Sequence, residues 1–242
     1  LGPRQLGYSL DYETLGLKGS YNTISPSFAS ASASPLAYFK FHTGEGGMRV
    51  PLVIAGQGVT PQAALTPAFA WATDITPTIL SLAGVAQPNA RYAGKPVLPI
   101  TGRDLSPLIT GQADRVYGED DAVGFELTDH AALFKGDYKL VVVQPPIGDG
   151  QWRLFNIATN PGETNDLSAS QPLRLQRMLA DYQAYKKQNG VLPSPKGYSQ
   201  MKQLVSNTLQ KQGRDNVIVW LIGVLLLLPF YVAYRMNKRS KL

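Results

Sequence analysis

Residues Leu36 to Pro51 read LAYFKFHTGEGGMRVP. Lys40 offers a compact, strongly hydrated positive charge. Glu45 follows five positions later, among Gly44, Gly46 and Gly47. Two chemistries fit. Glycines tolerate tight turns, so the stretch can be a plain loop. Equally, a glycine-rich backbone can approach a ligand closely while Lys40 neutralises an anion. Taken alone, these residues favour the plain loop.

Other candidate groups are sparse. His42 and His130 are the two histidines, and neither has a sequence neighbour that points to catalysis. Glu119, Asp120 and Asp121 form an acidic run, but no further carboxylate spacing makes it a calcium loop, so a solvated turn is expected. The chain has no cysteine. That excludes disulfides, thiolate metal sites and a cysteine nucleophile within it.

The elements that must position Lys40 are read from pattern. The 242 residues, 44% hydrophobic, can bury a sizeable core. Leu1 to Pro35 reads as loop, with a Ser/Ala/Pro-rich stretch from Ser25 to Pro35. Val50 to Ala55 predicts a short strand, and Thr60 to Pro67 a loop. Asp74 to Ala83 predicts a helix with Pro77 in its first turn and Gly84 at its end. A Pro/Gly-punctuated loop with a helical turn, SPLI, spans 91 to 111. Strand-like runs cover Val116 to Leu127, Ala131 to Val143 and Trp152 to Ile157, the last joined by PPIGDG as a hairpin. Pro172 to Gln188 predicts an amphipathic helix that buries Leu173, Leu175, Met178, Leu179 and Tyr182. No internal repeat is evident.

Val217 to Tyr234, VIVWLIGVLLLLPFYVAY, is uncharged. Its composition predicts a transmembrane helix with Trp220, Tyr231 and Tyr234 at the interfaces. The net charge of +6 collects around this run: Lys202, Lys211 and Arg214 precede it, and Arg235, Lys238, Arg239 and Lys241 follow. The positive-inside rule then places the C-terminus in the cytoplasm and the body in the periplasm or outside the cell. No basic stripe interleaves with aromatics, so no nucleic-acid partner is expected. The chain opens on Leu1 without an export signal, so further sequence is expected upstream of it.

In order, these segments resemble the C-terminal half of the type I sulfatases, of the alkaline-phosphatase-like superfamily and closest to the bacterial arylsulfatase branch. FKFHTGEGGMRVP resembles the family's Lys, four residues, then Glu-Gly-Gly-x-Arg-x-Pro. TDITPTILSLAGV, YAGKPVLPITGRDLSPLITG, LFKGDYKLVVV and WRLFNIATNPGETNDLS resemble the motifs that follow it. The resemblance implies an α/β fold: the C-terminal part of the catalytic domain over 1–110, incomplete in its main sheet, and a small antiparallel sheet with a packing helix over 111–190. A juxtamembrane linker at 191–216, the transmembrane helix at 217–234 and a basic cytoplasmic tail at 235–242 complete the expected organisation.

The resemblance also implies hydrolysis of sulfate esters by a formylglycine beside a bound calcium. Lys40 would be the sulfate-binding lysine, and Glu45, Gly46 and Gly47 would shape the turn behind it. The Cys/Ser-x-Pro/Ala-x-Arg motif that yields formylglycine is missing, as is the family's Asp-Asn metal pair, for Asp215-Asn216 falls at the membrane edge. The nucleophile and the metal ligands are therefore expected on upstream sequence, and this chain alone is expected to be inactive and to bind no metal. The alternatives are a catalytically inactive, membrane-tethered accessory remnant, and a phosphodiesterase or phosphonate hydrolase of the same superfamily.

Overall fold

The computed structural model describes residues 7–21, 24–60, 65–195 and 197–239, with backbone alone at 200, 201, 209, 211–216, 218 and 232–239. It forms two compact units, Leu1–Val191 and Leu192–Leu242.

In the first unit, helices α1 (Pro26–Ala33), α2 (Glu45–Met48), α3 (Ile75–Leu82) and α4 (Ser106–Ile109) are short, and a small hairpin joins β1 (Arg91–Tyr92) to β2 (Lys95–Pro96). Then come β3 (Ala122–Leu127), β4 (His130–Lys135), β5 (Tyr138–Val142), β6 (Arg153–Asn156) and helix α5 (Pro172–Asn189). Strands β3 to β6 make one antiparallel sheet in sequence order.

The sheet explains why HAALFK and YKLVV are apolar at nearly every position: both of its faces are covered. Leu133 pairs with Leu140 and Leu140 with Leu154. These residues, with Ala131 and Val142, pack against Met178 and Tyr182 of α5. Side chains alternate faces along a strand, so Ala132, Phe134, Val141, Val143 and Phe155 line the opposite side. There they meet Tyr38, Met48, Phe69 and Trp71. Thus the stretch around Lys40 lies on one face of the sheet and α5 on the other.

Helix α5 begins with Pro172 in its first turn and ends at Gly190, whose φ of 63° makes the left-handed cap. Met178 and Tyr182 are buried as expected, and Leu175 and Leu179 are partly so. Leu173 is 69% exposed instead; contact with the sheet starts only at Leu175.

Two of these readings are corrected, and a third is refined. Ser25 to Pro35 is not a loop: Pro26 starts helix α1 with its φ already suited to the first turn. Val50 to Ala55 is not a strand. Its apolar composition suits one, but a strand exists only by pairing, and no ladder partner lies among the described residues. Val53 is accordingly 87% exposed. Helix α3 forms with Pro77 in its first turn, yet it buries Pro77 and Thr78 while Ile75, Ile79 and Leu82 stay exposed. Of the Thr60 to Pro67 loop, residues 61–64 lie outside the described residues.

The second unit contains helix α6 (Gln200–Arg239), with Pro229 inside it. The expected linker is therefore helical from Gln200 onward, which suits its Gln, Lys and Leu content. Among the described residues no helix is long and apolar enough to cross a membrane. Of the expected span of 217–234, Ile218 and 232–234 are described by backbone alone, as is the basic tail as far as 239.

Candidate active site

Lys40 sits on a turn whose backbone is forced into an uncommon region. Tyr38 and Phe41, on either side of it, have φ of 64° and 78°. Such left-handed conformations cost free energy in residues with a Cβ and persist only where surrounding structure holds them. Here His42 is the brace. Its backbone N–H donates to the Phe39 carbonyl at 3.1 Å, and its ring Nδ1 lies 3.0 Å from the same oxygen. The ring stacks on Tyr38 at 5.4 Å and meets the edge of Phe39 at 4.8 Å. The Gly46 N–H donates to the Ala37 carbonyl at 2.8 Å and closes the base of the loop.

The glycines follow from this closure. A Cβ on Gly46 would run into the Tyr38 carbonyl, one on Gly47 into the His42 carbonyl, and one on Gly44 into the Tyr38 ring. They let α2 press against the backbone of 37–42. The plain-loop and ligand readings therefore divide: the glycines serve packing, and Lys40 remains available for a ligand. Its side chain is exposed, with Nζ 5.2 Å from the centroid of the Phe41 ring. Among the described residues, no carboxylate lies within ion-pairing distance of it.

Glu45 faces inward. Its Oε1 is 3.0 Å from Lys139 Nζ, and its Oε2 accepts from Arg49 Nε at 2.7 Å. Glu163 completes the set: its Oε1 is 2.9 Å from Lys139 Nζ, and its Oε2 accepts the Glu45 backbone N–H at 2.8 Å. Lys139 is 0% exposed. Burial pushes the Glu163 carboxyl above the usual carboxylate range, against the pull of Lys139. An unpaired buried ammonium would be very costly, so two carboxylates around Lys139 are what its position demands. Thr43 adds a further tie, donating from its hydroxyl to the Val142 carbonyl at 3.1 Å.

A second buried acid organises the next layer. Asp74 accepts the Trp71 N–H at 2.6 Å, the Arg103 N–H at 2.8 Å and the Tyr117 hydroxyl at 2.7 Å. Arg103 in turn grips Asp121 through two bonds of 2.5 and 2.6 Å, which holds the Asp121 carboxyl below its ordinary range. The acidic run is thus more than a solvated turn, since Asp121 anchors Arg103. His130 is buried 5.6 Å from the His42 ring. Its Nδ1 accepts the Gln144 N–H at 2.9 Å, which leaves the ring proton on Nε2. Burial first, and then the neighbouring His42, lower its pKa, while Asp129 opposes them.

Among the described residues, no group of three or more His, Asp or Glu side chains could hold a metal ion, and the chain has no cysteine. These residues do not fit a calcium site or a formylglycine precursor derived from cysteine. Asp215 has no described side chain. What the geometry offers is one exposed ammonium on a braced turn.

Sequence reasoning missed Lys139, Glu163 and Arg103. A lysine at an inward position of the apolar strand YKLVV was the available signal: it requires a buried acid, and Glu45 is the acid of the Lys40 segment.

No family model matches the chain. It is 28% identical over 184 residues to an uncharacterized sulfatase of Schizosaccharomyces pombe, which covers 76% of this chain and 33% of that protein. It is 35% identical over 98 residues to the arylsulfatase of Klebsiella aerogenes, covering 40% of this chain and 21% of the relative. Its fold superposes on the crystal structure of Ps i-CgsB in complex with k-i-k-neocarrahexaose with a TM-score of 0.55 and 22% identity, over 82% of this chain and 39% of that one. In sequence the chain is similar to these sulfatases, and it shares the fold of the superposed part of Ps i-CgsB. It spans a third or less of the length of either curated relative.

Proposed function

We propose that this chain is the C-terminal portion of an arylsulfatase and supplies Lys40 as a contact to the sulfate ester. One observation carries the reading. Lys40 is exposed and has no carboxylate partner among the described residues, on a turn that the neighbouring residues hold in an otherwise unfavourable conformation. An ammonium there can neutralise a sulfate oxygen and stabilise the charge that develops on a departing phenoxide or alkoxide. Glu45, Gly46 and Gly47 support that turn from behind. The nucleophile and the calcium ligands of the complete enzyme would lie on other sequence, so the chain by itself would not turn over. On this reading 1–110 belongs to the catalytic domain and 111–190 to the small sheet and its helix.

The reading includes a membrane anchor. The described apolar side chains of α6 from Val217 to Tyr231 are exposed, Trp220 at 75% and Leu228 at 52% among them, and the run is uncharged. An all-round apolar helix needs lipid or protein around it. The basic tail would face the cytoplasm and the body the periplasm or exterior.

The test compares ester classes. The full-length protein that contains this chain is assayed on matched aryl sulfate, aryl phosphodiester and aryl phosphonate substrates. The reading expects the sulfate to be the preferred substrate. Preference for either phosphorus ester, or no hydrolysis of any of them, would overturn it.

A further inference from the structure

We infer that Lys139 is a positioning residue for Lys40, acting through the buried set it forms with Glu45 and Glu163. The inference rests on the reading of Lys40 as the substrate contact.

The three charged groups come from parts of the chain far apart in sequence. Glu45 opens α2, Lys139 lies 94 positions on, in β5, and Glu163 follows the β6 turn. Together they close a ring. Lys139 Nζ touches one oxygen of each carboxylate, and the second Glu163 oxygen returns to the Glu45 backbone N–H. Side chain and main chain of Glu45 are thereby both fixed to the sheet. The loop from Ala37 to Gly46 is tied at its base by the Gly46 N–H to Ala37 carbonyl bond. Its base being fixed by the ring, its apex, where Lys40 sits, is fixed too. The left-handed residues Tyr38 and Phe41 lie within this span, so the loop has a local incentive to relax if its base is released.

Charge makes the ring decisive. Removal of the ammonium leaves two buried carboxylates facing one another. Like charges in a desolvated site repel, so one must take up a proton or the α2 end must swing out. In either case the base of the loop shifts. A shift of about 1 Å at a group that contacts the reacting centre is enough to lower the rate of an enzyme about a hundredfold.

A double-mutant cycle in the full-length protein that contains this chain tests this, with Lys40→Ala, Lys139→Met and the pair assayed below the melting temperature of each variant. We expect Lys40→Ala and Lys139→Met each to lower kcat, and the double variant to lose no more than Lys40→Ala alone. Amide hydrogen exchange over 37–47 should quicken in Lys139→Met while strands β3 and β4 keep their protection. If Lys139→Met does not fold, Glu163→Gln serves in its place. It keeps an acceptor for the Glu45 N–H but removes one charge from Lys139, so the same non-additive loss is expected at smaller size. Losses that multiply in the double variant, or unchanged kcat and unchanged exchange in a folded single variant, would overturn the inference. If Lys40→Ala itself leaves kcat and KM unchanged, the reading of Lys40 as the contact fails first.

Discussion

The Asp74 carboxylate accepts the backbone N–H of Arg103 at 2.8 Å, across 29 positions of sequence. Asp74 is fully buried and takes the Trp71 N–H and the Tyr117 hydroxyl as well. From sequence it marks only the start of a helix. In the fold it joins α3 to the loop that precedes α4 and, through Arg103, to Asp121 just ahead of β3.

Asp74→Ala strands three donors at once. Each buried donor left unsatisfied costs about 1–3 kcal/mol, so the variant should lose about 3 kcal/mol or more. Asp74→Asn keeps one acceptor oxygen and should lose less. Denaturant unfolding of the two variants checks the order; equal losses would mean that the second oxygen contributes nothing.

Gly46→Ala drives a methyl group into the Tyr38 carbonyl, which is backbone and has little room to give. Overpacking of this kind costs about 1–3 kcal/mol. Gly84 has open space around it, although its left-handed φ of 66° disfavours a side chain. Thermal melting should therefore show Gly46→Ala lowered, with altered chemical shifts at residues 37–42, while Gly84→Ala leaves those shifts unchanged.

His130 links stability to pH. Its folded-state pKa lies below the ordinary 6.5, so the unfolded chain takes up the proton first as pH falls. The contribution of the neutral ring is complete above 6.5 and is lost as the pH falls below it towards the folded pKa. His130→Asn can still accept the Gln144 N–H but does not titrate. The pH slope of stability between 7 and about 5.5 should be shallower in His130→Asn than in the parent; parallel slopes would contradict this.

Helix α6 should partition into lipid. Flotation with phosphatidylcholine vesicles should carry the chain upward, and removal of 217–242 should leave it at the bottom of the gradient. Co-flotation of the truncated chain would mean that another surface binds lipid.

Much of the fold was legible because local pattern and tertiary demand agree. The short apolar runs of β4 and β5 read as strands, the Gly136-Asp137 turn separates them, and Pro172 and Gly190 bracket α5. Pattern failed where the partner decides the state. Val50 to Ala55 has the composition of a strand, but pairing depends on another segment. The turn carrying Lys40, with Glu45 and its glycines, was legible in the sequence; the buried partners of Glu45 were not. Lys139 and Glu163 meet Glu45 only through folding: the lysine in YKLVV signals that a buried acid is needed, but nothing local in YKLVV or PGET says which one. The roles of Glu45 and the glycines were read as turn-forming; the coordinates add that Glu45 is buried and that the glycines relieve contacts with main-chain carbonyls.

The most direct measurement is kcat/KM for an aryl sulfate with the full-length protein that contains this chain, compared between Lys40 and Lys40→Ala. Loss of one preorganised electrostatic contact to the transition state lowers rates about a hundred- to a thousandfold, and a fall of that order with an unchanged melting temperature is the predicted result. An unchanged kcat/KM in a folded Lys40→Ala variant would contradict the assignment of Lys40 to the sulfate ester.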